Sequence, residues 1–245
     1  MAAAVSGCAT APQNPVKAFW LPPSQDAWSR APASGLTLKH RDGSTRTVSY
    51  AVVQNIVTVK GRVEQASGVK AELGLIDTDL PNAFAFQHQG RPVIAISLSW
   101  LNQLGHDVDA LATTVGHELA HLHLGHSGAA RKEREDAAKG ASQILGTILN
   151  LAGVPMGGTV ASLGVTAFAR SFTRDEERAA DDYGIRWAVA AGYDPCGRAR
   201  TMKMYQRARA GAIEVPFLLT HPGAAERSDT ANDFSVKSKG KPCEE

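Results

Sequence analysis

A helix predicted between Asp107 and Gly125 places two histidines and a glutamate on a strongly apolar segment. Asp107 suits the N-cap of a helix, and Gly125 is a common helix stop. Apolar residues recur at helical spacing and indicate one face turned toward a core, at Leu111, Val115, Leu119 and Leu122.

The stretch His117-Glu118-Leu-Ala-His121 within this helix has the spacing of a metal site. Residues four apart lie one turn apart on the same face, so both imidazoles can bind one ion. Zinc binds imidazole nitrogen at about 2.0–2.1 Å and keeps three protein ligands plus a water in catalytic sites. Glu118 is placed where a carboxylate can take a proton from that water. The alternative is an amphipathic helix with histidines on its solvent side.

A second charged helix is predicted to start near Thr173 and offers candidates for a third ligand. Glu177 and Asp181 are four apart and share a face, so Glu177 can bind zinc while Asp181 hydrogen-bonds a ligand histidine. Glu176 and Asp175 compete with Glu177 on composition alone. Without the first helix, a solvated face paired with neighbouring arginines would be the better interpretation.

A small sheet is predicted to precede the metal helix. Residues Thr37 to Val48 alternate around an Asp-Gly pair and predict a hairpin. Ser49 to Gln65 has apolar residues near helical spacing, which favours a helix. Short strands are predicted over Ala71 to Asp77, Ala83 to Phe86 and Val93 to Ser97.

The length and composition indicate a globular protein of one sizeable domain, or one and a half, with no preference for nucleic acid. The chain has 245 residues, 43% hydrophobic and 20% charged, which suffices for a sizeable core. A formal net charge of +2 provides no electrostatic attraction to nucleic acid. The Pro/Ala-rich residues 9–34 are predicted to form a tether whose Phe19, Trp20 and Trp28 dock on the body, and residues 35–245 form the domain.

The N-terminal sequence Val5-Ser6-Gly7-Cys8 resembles a bacterial lipobox, in which the cysteine receives lipid and becomes the mature N-terminus. Residues 1–8 are then the remnant of a lipoprotein signal. Only seven residues precede Cys8 and none is charged, whereas a complete signal has a basic start and a longer apolar region. A chance match in an Ala-rich tail is the alternative. If Cys8 is lipidated, Cys196 and Cys243 remain to form a disulfide in an oxidising compartment.

Several separated motifs together resemble metallopeptidase family forty-eight, which contains the CAAX prenyl proteases, HtpX and BepA. The resemblance covers Ala71 to Arg227 and includes the zinc helix and His126. Thr173-Arg-Asp-Glu-Glu177-Arg-Ala-Ala-Asp181 is similar to the family's Ser-Arg-x-x-Glu-x-Glu-Ala-Asp stretch, which implies Glu177 as ligand and Asp181 as its partner. Ala179 replaces the usual second glutamate, and Gly116 stands where alanine is common.

The resemblance also implies a fold and further site residues. The expected fold is α+β, a mainly helical zincin-type (gluzincin) domain with a small sheet beside the active-site helix. Asn82-Ala83-Phe84-Ala85 is similar to the family's strand beside the cleft, which implies substrate binding by Asn82, Ala83 and Phe84. Thr220-His221-Pro222 and the following Arg227 resemble the family's His-Pro loop and arginine. His221 would stabilise the oxyanion or cover the metal, and Arg227 would support the site.

The apolar, Gly-rich residues 141–169 are broken by Asn150 and by the glycines around Pro155. A membrane span needs about 20 mostly apolar residues. The interrupted run favours a helical hairpin near the active site that acts as a mobile lid. Membrane contact is the alternative.

The expected function is that of a zinc endopeptidase with one Zn²⁺ per chain, acting on unfolded or misassembled envelope proteins in quality control. The expected location is the bacterial periplasm, with Cys8 as the lipid anchor to an unspecified membrane. One alternative is an envelope-protein chaperone or assembly factor that uses a gated peptidase fold with little turnover. Another is a zinc hydrolase acting on something other than peptides.

Overall fold

The computed structural model describes residues 18–21, 26–40, 43–78, 81–88, 90–126, 172–210 and 224–243. The strands are β1 (Ala18–Trp20), β2 (Leu36–Lys39), β3 (Thr45–Val48), β4 (Glu72–Asp77), β5 (Ala83–His88) and β6 (Arg91–Ser97). The helices are α1 (Asp26–Ser29), α2 (Tyr50–Ser67), α3 (Leu98–Leu104), α4 (Val108–His123), α5 (Arg174–Ala190), α6 (Gly197–Ala210) and α7 (Ala224–Lys239). The α+β, mainly helical fold class is confirmed.

A four-stranded sheet lies beside the helices in the order β1-β4-β6-β5. β4 and β6 are parallel, whereas β1 and β5 are antiparallel to their neighbours, with Ala83 opposite Ile96 and Phe84 opposite Ala95. Side chains alternate between the two faces of a strand. One face of this sheet joins the main core with Leu73, Leu75, Ala83, Ile94 and Ile96, and the other forms a smaller cluster with Ile76, Phe84, Phe86, Val93 and Ala95.

The predicted secondary structure around the metal helix is confirmed. The hairpin β2–β3, helix α2 and strands β4, β5 and β6 form where the sequence indicated them. α4 begins after its N-cap Asp107, whose side chain accepts the Ala110 N–H at 2.9 Å. It ends before Gly125, which has φ +70°. Its residues from Ala110 to His121 are all buried, so α4 is the central helix of the domain.

The aromatic residues of the predicted tether contact the body. Phe19 and Trp20 lie in β1, which pairs with β4. A Cβ on Gly74 would come within 2.7 Å of the Phe19 ring, so the glycine makes room for it. Trp28 is buried and donates its indole N–H to Leu73 O at 3.0 Å.

A disulfide between Cys196 and Cys243 connects the start of α6 to the segment that follows α7. The two helices also contact each other directly. Within the described ranges, no helix has the length and apolarity needed to cross a bilayer. The predicted lipobox and the predicted lid, residues 141–169, lie outside the described residues.

Candidate active site

The site forms where α4 and α5 cross at two glycines. A Cβ on Gly116 would lie 2.5 Å from Gly184 O, and one on Gly184 would lie 2.5 Å from His117 N. Only residues without a Cβ permit such a close approach of two backbones. The crossing brings the α5 carboxylates against the α4 histidines, which explains why glycine stands at position 116.

His117, His121 and Glu177 bring three ligand atoms within 4.8 Å of one another, and all three side chains are buried. The Nε2 atoms of the two histidines are 3.0 Å apart. His117 Nε2 lies 3.5 Å from Glu177 Oε2, and His121 Nε2 lies 3.2 Å from Glu177 Oε1. A tetrahedral ion bound at 2.0–2.1 Å would hold its ligand atoms about 3.3 Å apart. Two imidazoles and one carboxylate also match a known catalytic zinc set, so the residues fit zinc.

Of the three carboxylates that the sequence offered as third ligand, only Glu177 meets the histidines in this way. Glu176 accepts the Thr173 N–H at 2.9 Å in a capping box at the start of α5. The Asp175 side chain is 90% exposed and pairs with Arg178. One helical turn after Glu177, Asp181 places Oδ1 2.9 Å from His117 Nδ1. His117 is thus oriented with Nε2 toward the candidate metal site, because Nδ1 donates to the carboxylate.

His121 is oriented by a different set of neighbours. Its Nδ1 lies 2.9 Å from His126 Nδ1, so one of the two rings donates and the other accepts. Phe172 stacks on the His121 ring with a centroid separation of 3.8 Å and an angle of 15°. His126 and Phe172 are both buried. Together they hold the ring with Nε2 facing Glu177.

Arg227 connects the two α5 carboxylates from α7. It reaches Glu177 Oε2 at 2.5 Å and Asp181 Oδ2 at 2.6 Å, and it is 2% exposed. Burial raises the pKa of Asp181 to about 6, with the Arg227 guanidinium opposing the shift and the Glu177 charge adding to it. The negative charges of Asp181 and Glu177 in turn raise the pKa of Arg227, against the effect of its burial.

Glu118 points its carboxylate into the interior and is fully buried. The phenol of Tyr205 on α6 is also fully buried, and both its burial and the negative charge of Glu118 raise the pKa of that hydroxyl. Tyr205 is therefore neutral at physiological pH. A buried carboxylate next in sequence to a metal-binding histidine suits a general base.

The residues expected to bind substrate lie at the start of β5, an edge strand of the described sheet that α4 contacts. The Asn82 backbone is held by Ser97, which donates its N–H to Asn82 O at 2.8 Å and accepts the Asn82 N–H at its hydroxyl. The Phe84 ring packs against Phe86 in the smaller cluster. Ala83 faces the main core. The main chain of Asn82 is thus bonded to Ser97, and the side chains of Ala83 and Phe84 are buried in the two clusters.

Two predicted site residues lie outside the described part of the chain, and one buried residue near the site was not predicted. His221 and Cys8 lie outside the described residues, so their roles stay predictions. Arg198 on α6 is fully buried and lies 2.5 Å from Asp181 Oδ1, yet sequence analysis did not single it out. Nothing local distinguishes this arginine from Arg200 or Arg207 on the same helix. Its burial depends on how α6 packs against α4.

Comparison with known proteins agrees with this geometry. The model of peptidase family M48 matches residues 51–234. The chain is 32% identical over 171 residues to the beta-barrel assembly-enhancing protease of Escherichia coli K12, covering 65% of this chain and 34% of that protein. It is 29% identical over 174 residues to the protein of the same name from Yersinia pestis, covering 69% of this chain and 35% of that one. The chain thus spans about a third of the length of these curated relatives.

The family match covers most of the chain and includes the His117, His121 and Glu177 cluster, and the chain therefore belongs to peptidase family M48.

Proposed function

We propose that this chain is a zinc-dependent endopeptidase that cleaves envelope proteins as part of their quality control. The observation that carries the proposal is the separation of the three donor atoms, 3.0 to 3.5 Å, close to the edge of a zinc tetrahedron. Zinc, when bound there by His117, His121 and Glu177, supplies Lewis acidity that polarises a carbonyl and acidifies water.

The protein's own groups perform the proton transfers and hold the site in place. Glu118 accepts a proton from water during attack on the scissile carbonyl and delivers it to the leaving amine. Asp181 keeps His117 oriented, as its 2.9 Å contact with Nδ1 indicates. His221 stabilises the oxyanion by donating a hydrogen bond, and Arg227 holds Glu177 and Asp181 at their positions.

Peptides bind as an added strand along β5. An edge strand presents main-chain donors and acceptors, and a peptide can pair with them without requiring a particular sequence. Asn82, Ala83 and Phe84 stand at the start of this edge, on a strand that contacts the metal helix. This arrangement favours peptides over other substrates of a zinc hydrolase.

The proposed envelope location is supported by the disulfide, by the Cys8 motif and by the names of the relatives. Cys196 and Cys243 are disulfide-bonded, and such bonds persist in oxidising compartments such as the bacterial periplasm. The Cys8 motif would add a lipid anchor to a membrane. The names of the relatives also combine protease with assembly of β-barrel proteins. Unfolded or misassembled envelope proteins are therefore the proposed substrates.

Two measurements test the proposal. The first is the zinc content of wild type and Glu177→Ala by elemental analysis, and the second is casein cleavage with and without chelator. Asp175→Ala is the matched control, because it removes an exposed carboxylate of the same helix. We expect one zinc per chain in wild type and the control and little zinc in Glu177→Ala. We also expect wild type to cleave casein and the chelator to inhibit this cleavage. Wild type without zinc would overturn the proposal. Zinc without cleavage would favour the alternative of a client-holding assembly factor.

A further inference from the structure

Arg198 contributes a buried positive charge to the candidate metal site from α6. It is 0% exposed, and its Nη2 lies 2.5 Å from Asp181 Oδ1 and 3.2 Å from His117 Nδ1. His117 Nδ1 donates its own proton to Asp181, and a guanidinium can only donate, so the Asp181 carboxylate is the acceptor for Arg198. Arg198 therefore binds the same carboxylate oxygen that His117 Nδ1 contacts at 2.9 Å.

Arg227 holds the same carboxylate in a different way. Its Nε lies 2.6 Å from Asp181 Oδ2, its Nη2 lies 3.0 Å from Oδ1, and its Nη1 extends to Glu177. The shorter contact to Asp181 is thus at the oxygen that His117 does not use. Arg198 contacts Oδ1 at 2.5 Å, closer than Arg227 does at 3.0 Å, so Arg198 adds the shorter of the two arginine contacts to the oxygen beside the His117 ring.

The two residues that precede Arg198 fix the position of its backbone. A Cβ on the preceding Gly197 would lie 2.2 Å from the Asp109 backbone, so α6 begins in close contact with α4. Cys196, one residue earlier, is bonded to Cys243. The approach of α6 to the start of α4 therefore directs the Arg198 side chain inward.

Burial of this guanidinium is unfavourable for folding by itself. Its Nε and Nη1 make no hydrogen bond in the described part of the chain. Burying polar groups without partners lowers stability, and a buried ion pair is often no more stable than an apolar replacement. We therefore expect Arg198 to contribute to the metal site, through its contacts with Asp181 and His117, rather than to the stability of the fold.

We propose that Arg198 is a positioning residue of the metal site, which holds Asp181 Oδ1 against His117 Nδ1 and so keeps His117 Nε2 as the ligand atom. This inference rests on the proposed zinc site. It predicts that Arg198 acts on metal affinity through Asp181, without contact to the metal or to substrate.

Zinc affinity measured by competition with a chelator tests the inference on the full chain. Arg198→Met is expected to bind zinc about 10- to 100-fold more weakly than wild type, the usual effect of losing a group that orients a ligand. Arg198→Lys should recover part of the loss, because an ammonium can also donate to Oδ1. Arg200→Met is the matched control, since Arg200 lies on the same helix but pairs with Asp107 and Asp109.

A double-mutant cycle with Asp181→Asn separates this role from a general effect on folding. If Arg198 acts through Asp181, Arg198→Met should cause little further loss of affinity in the Asp181→Asn background. Equal losses in both backgrounds would overturn the inference, as would wild-type affinity in Arg198→Met. If Arg198→Met does not fold, Arg198→Lys takes its place: its smaller loss of affinity should shrink further in the Asp181→Asn background, and equal affinity changes in both backgrounds would overturn the inference. Absence of zinc from wild type would overturn the proposed site, and this inference with it.

Discussion

The two histidines of the site have Nδ1 partners of different chemistry. His117 faces the Asp181 carboxylate at 2.9 Å, whereas His121 faces the imidazole of His126 at the same distance. A carboxylate partner raises the basicity of a ligand histidine. The two ligands are therefore inequivalent, with His117 the stronger donor.

Glu118→Gln should retain zinc and lose cleavage. Glu118 is not among the three clustered ligands, so the amide leaves the donor set intact while removing the group that accepts the proton. The rate of casein cleavage should fall by about 10²- to 10⁴-fold at unchanged zinc content. Cleavage at the wild-type rate in this variant would contradict the role of Glu118 as general base.

The crossing of α4 and α5 determines the geometry of the site at the level of elements. Both backbones approach each other at Gly116 and Gly184, and the ligands from the two helices lie directly beside this contact. Interiors are close-packed, so an added methyl group at the crossing has to move a helix. The spacing of the ligand atoms thus depends on two residues that bind nothing.

Gly116→Ala should lower both stability and zinc affinity. Its Cβ would meet Gly184 O at 2.5 Å, and separating the helices costs about 1–3 kcal/mol as overpacking does elsewhere. Gly61→Ala in α2 is the matched control, because nothing lies within 4 Å of its Cβ and alanine favours a helix by about 1 kcal/mol. Urea denaturation and zinc titration measure the two effects. Unchanged values for Gly116→Ala would show that the crossing tolerates a wider spacing.

The start of α4 should be sensitive to acid. Burial opposes ionisation of Asp107, but the hydrogen bond and charge of Arg200, together with the backbone N–H groups of Ala110 and Asp109, outweigh it and bring the pKa of Asp107 below its ordinary value of 3.8. A carboxylate with a lowered folded-state pKa stabilises the protein above the unfolded-state pKa, and this contribution is lost as pH falls through the folded-state value. Asp107→Ala should cost about 1 kcal/mol at neutral pH through loss of the N-cap.

Asp107→Asn separates the charge from the cap, because asparagine caps helices as well as aspartate does. Its deficit relative to wild type at neutral pH should be smaller than that of alanine. The deficit should shrink as the pH falls from 3.8 toward the lowered folded-state pKa and vanish below that pKa. Urea denaturation across this range, in the presence of chelator, measures both differences. A deficit independent of pH would contradict the contribution of the Arg200 pair.

The disulfide stabilises the whole molecule by closing a long loop. Cys196 and Cys243 are 47 residues apart, and this loop includes α6 and α7 with both buried arginines of the site. In the chain-entropy model such a bond contributes about 4 kcal/mol. The Cys196→Ser/Cys243→Ser double variant should therefore unfold at lower urea, with reductant destabilising wild type and leaving the variant unchanged. Equal urea midpoints for wild type with and without reductant would contradict this stabilising role.

The local elements of this domain could be predicted from the sequence because their signals are local. Helical spacing, the N-cap Asp107 and the i, i+4 histidines determine α4, and alternation with an Asp-Gly turn determines the β2–β3 hairpin. The i, i+4 spacing of Glu177 and Asp181 likewise depends on a single helix. Such patterns operate within one element, so they can be read without knowing what packs against it.

Tertiary structure alone decided which partners meet between elements. Sequence spacing does not reveal that Gly116 faces Gly184, that Arg198 and Arg227 reach Asp181 from two different helices, or that Trp28 binds Leu73. These contacts depend on how close two backbones come and on which side chains lose their water. An arginine on α6 has the same local pattern whether it is solvated or buried. The metal-binding motif and its partner Asp181 were therefore predictable, whereas the buried Arg198 and the stacking of Phe172 on His121 became visible only when the helices packed together.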